Sequence, residues 1–432
     1  MPDQKLPPHG FGTLAVHAGQ SPDPNTGSRA VPIHQTTSYV FKSTEHAANL
    51  FALKEMGYIY TRLMNPTTDA FEQRMAALDG GVGALAVASG QQAIVVALLN
   101  LVHCGGHIVS ASALYGGTVT LFSQTFKRLG IDVTFVDFTQ PEKIAAAIKP
   151  NTRAVYFESM ANPKNDVLDY RRVAQIAHDH GLPAVCDNTV LTPLLFRPFD
   201  HKIDIAVYSA TKFIGGHGTS IGGMIVDSGN FDWNKEPGKW PQFTEPDASY
   251  HGTVFQQAVG QLCYIITCRT HWLRDLGGAL SPFNAFLFLQ GLETLHLRMP
   301  RHCQNALGVA QYLEGHPLVN WVNYAGLPSH PGYKLAQQYL PKGTGSVMGF
   351  GIKGGRAAGR KFIENVKLAS HLANIGDAKT LVIHPASTTH SQLTEAELKA
   401  AGIGDDYIRV SVGLEDLVDI TADLNQALQA SQ

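Results

Sequence analysis

The chain has 432 residues, 44% of them hydrophobic and 16% charged, a make-up that fits a globular protein with a large core and excludes a disordered or fibrous one. Its formal charge of −2 predicts no nucleic-acid partner and no attraction to an anionic membrane surface. The longest apolar run, near Ala93 to Leu99, is far below the ~20 residues that span a bilayer, and the opening MPDQKLPPHGFG lacks the apolar stretch of a secretory leader. Cys104, Cys186, Cys263, Cys268 and Cys303 are odd in number and form no C-x-x-C pair. They argue against a disulfide framework or zinc site and fit a reducing cytoplasm. The 19 histidines include no H-E-x-x-H, and no metal site is predicted.

Residues 1–65 are rich in Pro, Gly, Thr and Ser and read as an arm with one short helix around Ser43 to Met56. An arm of this kind buries little by itself and needs its own domain or a neighbouring subunit to lie on. From 66 to 275 apolar strands alternate with amphipathic helices. The strands are expected at Leu85–Ala88, His107–Ala111, Val133–Val136, Ala154–Phe157, Pro183–Cys186, Ile205–Tyr208 and Met224–Val226. Such a pattern predicts an α/β domain with a mostly parallel sheet covered on both faces. The polar, aromatic segment 229–253 interrupts it and reads as a long surface loop, a lid or an interface. After about 276 a long helical pattern from Pro282 to His316, broken near Pro300, leads into strands at Ser346–Ile352 and Tyr407–Val412 and a helix at Glu415–Ala430. This texture predicts a smaller C-terminal α+β domain over 276–432.

Chemistry concentrates in DIAVYSATKFIGGHGTSIGGM, residues 204–224. Here a buried strand breaks into Lys212 and a glycine-rich loop. An ammonium at the exit of a buried strand costs several kcal/mol, on the order set by desolvation. A Schiff base to a carbonyl cofactor removes that charge. The bland alternative is a surface lysine in a loop.

Ligands of open α/β sheets bind beyond the carboxyl ends of the strands. Four exits carry polar groups: Ser89, Gly90 and Gln91 opening a helix; Glu158, Ser159 and Asn162; Asp187, Asn188 and Thr189; and Ser209, Thr211 and Lys212. A helix mouth at Gly90 and Gln91, with the hydroxyls of Ser209 and Thr211, suits a phosphate. A buried Asp187 suits a protonated pyridine nitrogen, an attraction of about 4 kcal/mol at an effective dielectric of ~20. Tyr115 offers a flat partner for an aromatic ring. Individually these residues read equally well as caps, turns and core packing; together they specify a phosphorylated aromatic carbonyl cofactor.

The motifs YTRLMNPT (60–67), ASGQQA (88–93), DNT (187–189), YSATKFIGGHGT (208–219), PASTTHSQL (385–393) and RVSVGLED (409–416) occur in this order. On them the chain resembles the Cys/Met-metabolism family of pyridoxal-phosphate enzymes, from VHAGQ at 16–20 to the last motif. The resemblance implies a type I, aspartate-aminotransferase-like fold with pyridoxal 5'-phosphate as cofactor. It implies Lys212 as Schiff-base lysine, Asp187 as partner of the pyridinium, and Ser89, Gly90, Gln91, Ser209 and Thr211 around the phosphate. Tyr115 would stack on the ring and assist proton transfer, and Thr189 would lie near it. Tyr60 and Arg62 would reach the phosphate of a neighbouring subunit, within a homotetramer built as a dimer of dimers. Arg409 would hold the substrate α-carboxylate in its guanidinium fork, aided by Asn162 and Ser346. Chain length and the segment 374–393 resemble the sulfhydrylase branch, which implies replacement of the γ-acetoxy group of O-acetyl-L-homoserine by sulfide. The same residues serve a γ-lyase or a cystathionine γ-synthase equally well, and a catalytically silent scaffold of the same fold is the alternative outside enzymes.

Overall fold

The computed structural model describes residues 9–388 and 404–432. The last residues of the PASTTHSQL motif lie outside that range. Seven strands form the first sheet: β1 (Gly83–Val87), β2 (His107–Ala111), β3 (Asp132–Val136), β4 (Thr152–Glu158), β5 (Ala184–Asp187), β6 (Ile205–Ser209) and β7 (Gly223–Asp227). Their order is β1-β7-β6-β5-β4-β2-β3. Only β7 runs against its neighbours; the others are parallel to one another. The near-continuous burial of β1, β2, β4 and β6 is what helices on both faces demand. All seven strands fall where the apolar runs predict them.

A second, five-stranded sheet comprises β8 (Val319–Asn323), β9 (Val347–Ile352), β10 (Ser370–His371), β11 (Leu381–Ile383) and β12 (Tyr407–Ser411), in the order β10-β11-β12-β9-β8. The half-exposed β8, the two- and three-residue strands β10 and β11, and the helix Gly355–Asn365 are not anticipated by the sequence reading.

Helix Leu295–Glu314 joins the two cores. Leu295, Met299 and Cys303 pack with the first sheet, whereas Ala306, Val309, Ala310 and Leu313 pack with Met348, Phe350, Ile408 and Leu424 of the second. The helical break expected near Pro300 lies instead at Thr294, between Pro282–Glu293 and Leu295–Glu314. At the break Arg298 donates to the carbonyl of Gly291 at 2.6 Å, and to those of Phe213 and Ile214. A buried guanidinium thus satisfies what the helix end leaves open. Pro300 removes one amide from the second helix, which runs on through it.

Segment 229–253 is not an open loop. It folds into short turns of helix and buries Trp233, Trp240 and Phe243. Trp233 stacks on Tyr264 at 5.7 Å between centroids, and Gln242 donates to the carbonyl of Asn100 at 2.9 Å. Asn100 ends the helix Gly90–Leu99, whose other end faces the polar strand exits. Because β7 is antiparallel, the chain leaves it at the edge of the sheet remote from those exits, so this part of the segment is no lid over them. Among the described residues, no helix is long and apolar enough to cross a membrane.

Candidate active site

The exits of β1, β4, β5 and β6 converge on one cavity of ≈ 260 Å³. Eleven of the residues singled out in the sequence line it: Ser89, Gly90, Gln91, Tyr115, Asn162, Asp187, Thr189, Ser209, Thr211, Lys212 and Arg409. Three do not. Ser346 is fully buried before β9, where its carbonyl accepts from the amide of Val412 and its hydroxyl has no partner. Tyr60 and Arg62 lie in the arm, where the guanidinium sits 5.5 Å from the tyrosine ring and donates to the carbonyl of Arg274.

The anion end is made by the helix Gly90–Leu99. Ser89 is its N-cap, accepting from the amide of Gln92 at 3.1 Å. That bond leaves the amides of Gly90 and Gln91 pointing out of the helix with the positive end of its dipole. Two glycines bring the walls together. A Cβ on Gly90 would lie 2.6 Å from the Cβ of Ser209, and one on Gly223 would lie 2.1 Å from the carbonyl oxygen of Ser89. Thr211 is fixed by the Gly222 amide, which donates to its hydroxyl at 3.1 Å.

The floor is a pair of neighbouring carboxylates, Glu158 and Asp187, paired in register across β4 and β5. Burial pushes the Asp187 carboxyl up, opposed by hydrogen bonds from Thr189, whose amide donates at 3.0 Å. The hydroxyl of Thr189 in turn accepts from the amide of Ser209 at 2.8 Å, tying the β5 exit to the β6 exit. Burial, and then the charge of Asp187, hold the Glu158 carboxyl well above the usual range. A cation or bound proton placed over Asp187 relieves this strain, as a protonated pyridine nitrogen would.

Lys212 crosses the cavity to Asn374, donating from Nζ to Oδ1 at 2.5 Å. The backbone carbonyl of Asn374 accepts from Nη2 of Arg409 at 3.2 Å. Burial, and then the charge of Arg409, push the Lys212 amine down to about 8. Near neutrality a usable fraction is therefore the free, nucleophilic amine. Arg409 lies on β12 between β11 and β9, so the second sheet supplies the cation and the first supplies the lysine. Tyr115 is 53% exposed at the mouth, and its backbone amide donates to Oε1 of Glu158 at 2.6 Å.

Asn374 and Glu158 are the two polar cavity residues to which the sequence reading attached no role. Asn374 follows no strand and belongs to no anion or acid–base pattern. Glu158 stands at a strand exit, which was a signal, but its partners become visible only in three dimensions.

These residues fit a phosphorylated pyridine aldehyde. A helix mouth with free amides, a buried carboxylate floor in want of a cation, and a lysine with a depressed pKa meet in one cavity. A lysine-anchored cofactor on the first sheet, facing an arginine on the second, defines a cofactor-dependent amino-acid enzyme of the α/β class. The comparisons agree. The family model for Cys/Met metabolism PLP-dependent enzymes matches residues 12–429. A homocysteine synthase of Schizosaccharomyces pombe is 55% identical over 98% of both chains. An O-acetyl-L-homoserine sulfhydrylase of Leptospira meyeri is 54% identical over 96% of both. A crystal structure from Campylobacter jejuni, described as an O-acetylhomoserine (thiol)-lyase bearing a pyridoxyl-lysine monophosphate, superposes with a TM-score of 0.94 at 41% identity, covering 98% of this chain and all of that one. The chain belongs to the Cys/Met metabolism family of PLP-dependent enzymes, and its cofactor is pyridoxal 5'-phosphate.

Proposed function

We propose that the protein replaces the γ-acetoxy group of O-acetyl-L-homoserine with sulfide, forming L-homocysteine and acetate for methionine biosynthesis. One observation carries the reading: Lys212 and Arg409 meet at Asn374 in a single cavity, which brings together a base and a carboxylate clamp. The names of the relatives at 54–55% identity support the choice of substrates.

Bound pyridoxal phosphate supplies an electron sink for charge that develops on the amino acid. The chain's own residues do the rest. The amides of Gly90 and Gln91, with Ser209 and Thr211, hold the phosphate. Asp187 would partner the ring nitrogen with Thr189 beside it, and Tyr115 would cover the ring from the mouth. Arg409 takes the α-carboxylate, with Asn162 next to it. Lys212, once free, removes the Cα proton and serves the later proton transfers while acetate leaves Cγ and sulfide enters. Positioned proton transfer is typically worth 10²–10⁴-fold.

Three broader parts belong to the same proposal. Residues 1–65 form an arm, 66–275 the cofactor-binding domain and 276–432 the C-terminal domain. The arm brings Tyr60 and Arg62 to the phosphate of a neighbouring subunit in a dimer of dimers. Val40, Phe41, Phe51 and Met56, all exposed on the arm, support such a partner. Five free cysteines support a reducing, cytoplasmic setting.

The deciding experiment gives the purified enzyme O-acetylhomoserine with sulfide or with cysteine. Homocysteine from sulfide is expected. Cystathionine from cysteine, or 2-oxobutanoate without a sulfur product, would assign one of the rival γ-reactions instead.

A further inference from the structure

Glu158 is buried in the site and forms no ion pair with a cation among the described residues. The residue is 6% exposed, and burial together with the neighbouring Asp187 holds its pKa high. A carboxyl in such a place is destabilising unless its oxygens are used. Both are used, on two different loops. Oε1 accepts from the backbone amide of Tyr115, in the loop after β2, at 2.6 Å. Oε2 accepts from the backbone amide of Asn162, in the loop after β4, at 3.4 Å. Asn162 has a second feature: its side chain lines the cavity, its buried Oδ1 has no donor among the described residues, and the Nδ2 of the same amide is the atom able to donate to a carboxylate. The side chain is thus held ready at a place where only a ligand completes it.

We propose that Glu158 is a positioning residue that aims Asn162 at the substrate α-carboxylate by tying its loop to the loop of Tyr115. The inference deepens the functional reading above and rests on its assignment of Asn162 to the carboxylate. Through one carboxyl group, the residue covering the ring and the residue beside the carboxylate move as a unit. Loss of Glu158 frees the Asn162 loop and lowers affinity for the acid end of the substrate in particular.

The test uses the full-length holoenzyme and two amines without a γ leaving group, L-2-aminobutyrate and its reduced analogue (S)-2-amino-1-butanol. Binding of each is read from the change in the visible absorbance of the enzyme. Glu158→Ala is expected to weaken L-2-aminobutyrate about tenfold, the size of a lost hydrogen bond to a charged group, and the amino alcohol less than twofold. Glu158→Gln keeps one acceptor oxygen and should fall between. Equal weakening of the two probes, the signature of a merely structural role, overturns the proposal, and so does no weakening of either. If Glu158→Ala does not fold, Glu158→Gln decides by the same comparison. Neither probe undergoes γ-chemistry. A wild-type enzyme that makes no homocysteine would therefore sink the proposed reaction while leaving this result to stand or fall alone.

Discussion

Lys212 combines a position, a partner and a pKa that no other described residue shares. Its replacement by Ala removes the cofactor anchor and the base together. Turnover should fall by well over the 10²–10⁴-fold of ordinary acid–base loss, and the visible absorbance of the purified enzyme should vanish with it. The depressed pKa also has a consequence for stability. In the cofactor-free chain the Lys212 amine titrates near 8, against an ordinary value of 10.5. Between these two values the unfolded chain binds the extra proton, so stability rises as pH climbs through that window. Below about 8 both states are protonated and the burial penalty is fully present. Denaturant unfolding of cofactor-free wild type and Lys212→Met at pH 8 and pH 10 checks this. The rise assigned to Lys212, about 3 kcal/mol at most, should be missing from the Met variant.

At the scale of elements, the helix Gly90–Leu99 and segment 229–253 make opposite predictions. In the proposed function this helix holds the phosphate: Ser89 caps it and Gly90 lets Ser209 approach. Gly90→Ala drives a methyl group into Ser209, so cofactor release by dialysis should quicken at least tenfold, while the fold survives because the clash is local. Segment 229–253 touches the other end of that helix, some ten residues or about 15 Å away along its axis. Trp240 is buried among Phe231, Trp233 and the body of the domain. Trp240→Ala should cost about 3–5 kcal/mol of stability and leave kcat near the wild-type value, which thermal unfolding and steady-state kinetics would measure side by side. A large drop in kcat in a folded variant would mean that this segment does reach the site.

At the scale of the whole molecule, the proposed neighbouring subunit rests on the arm. Tyr60 and Arg62 stand away from the cavity that their motif predicts them to serve, and the arm around them is exposed. If each arm completes a neighbour's site, Arg62→Ala and Lys212→Ala chains should rescue one another. In mixed dimers one site carries both defects and the other carries neither, so random re-pairing of equal amounts should restore about a quarter of full activity. Absence of rescue, with mixing verified by mass, would place Arg62 outside the site. Light scattering on the same samples reports whether four chains assemble.

The strands of the first sheet, the strand-exit chemistry and the lysine were legible in the sequence because they follow local rules. Apolar runs bounded by turns make buried strands, and a parallel sheet collects its polar exits on one edge. What tertiary structure alone decided is pairing at a distance. Asn374 joins Lys212 to Arg409 across the seam between two sheets, and Glu158 reaches back to the loop of Tyr115, contacts between residues 35 to 162 apart in the chain. The same holds for segment 229–253. Its polar, proline-bearing text reads as a loop, yet three aromatic side chains find a core that other parts of the chain provide. Periodicity reports the face a residue turns inward; it carries no record of which distant residue will be waiting there.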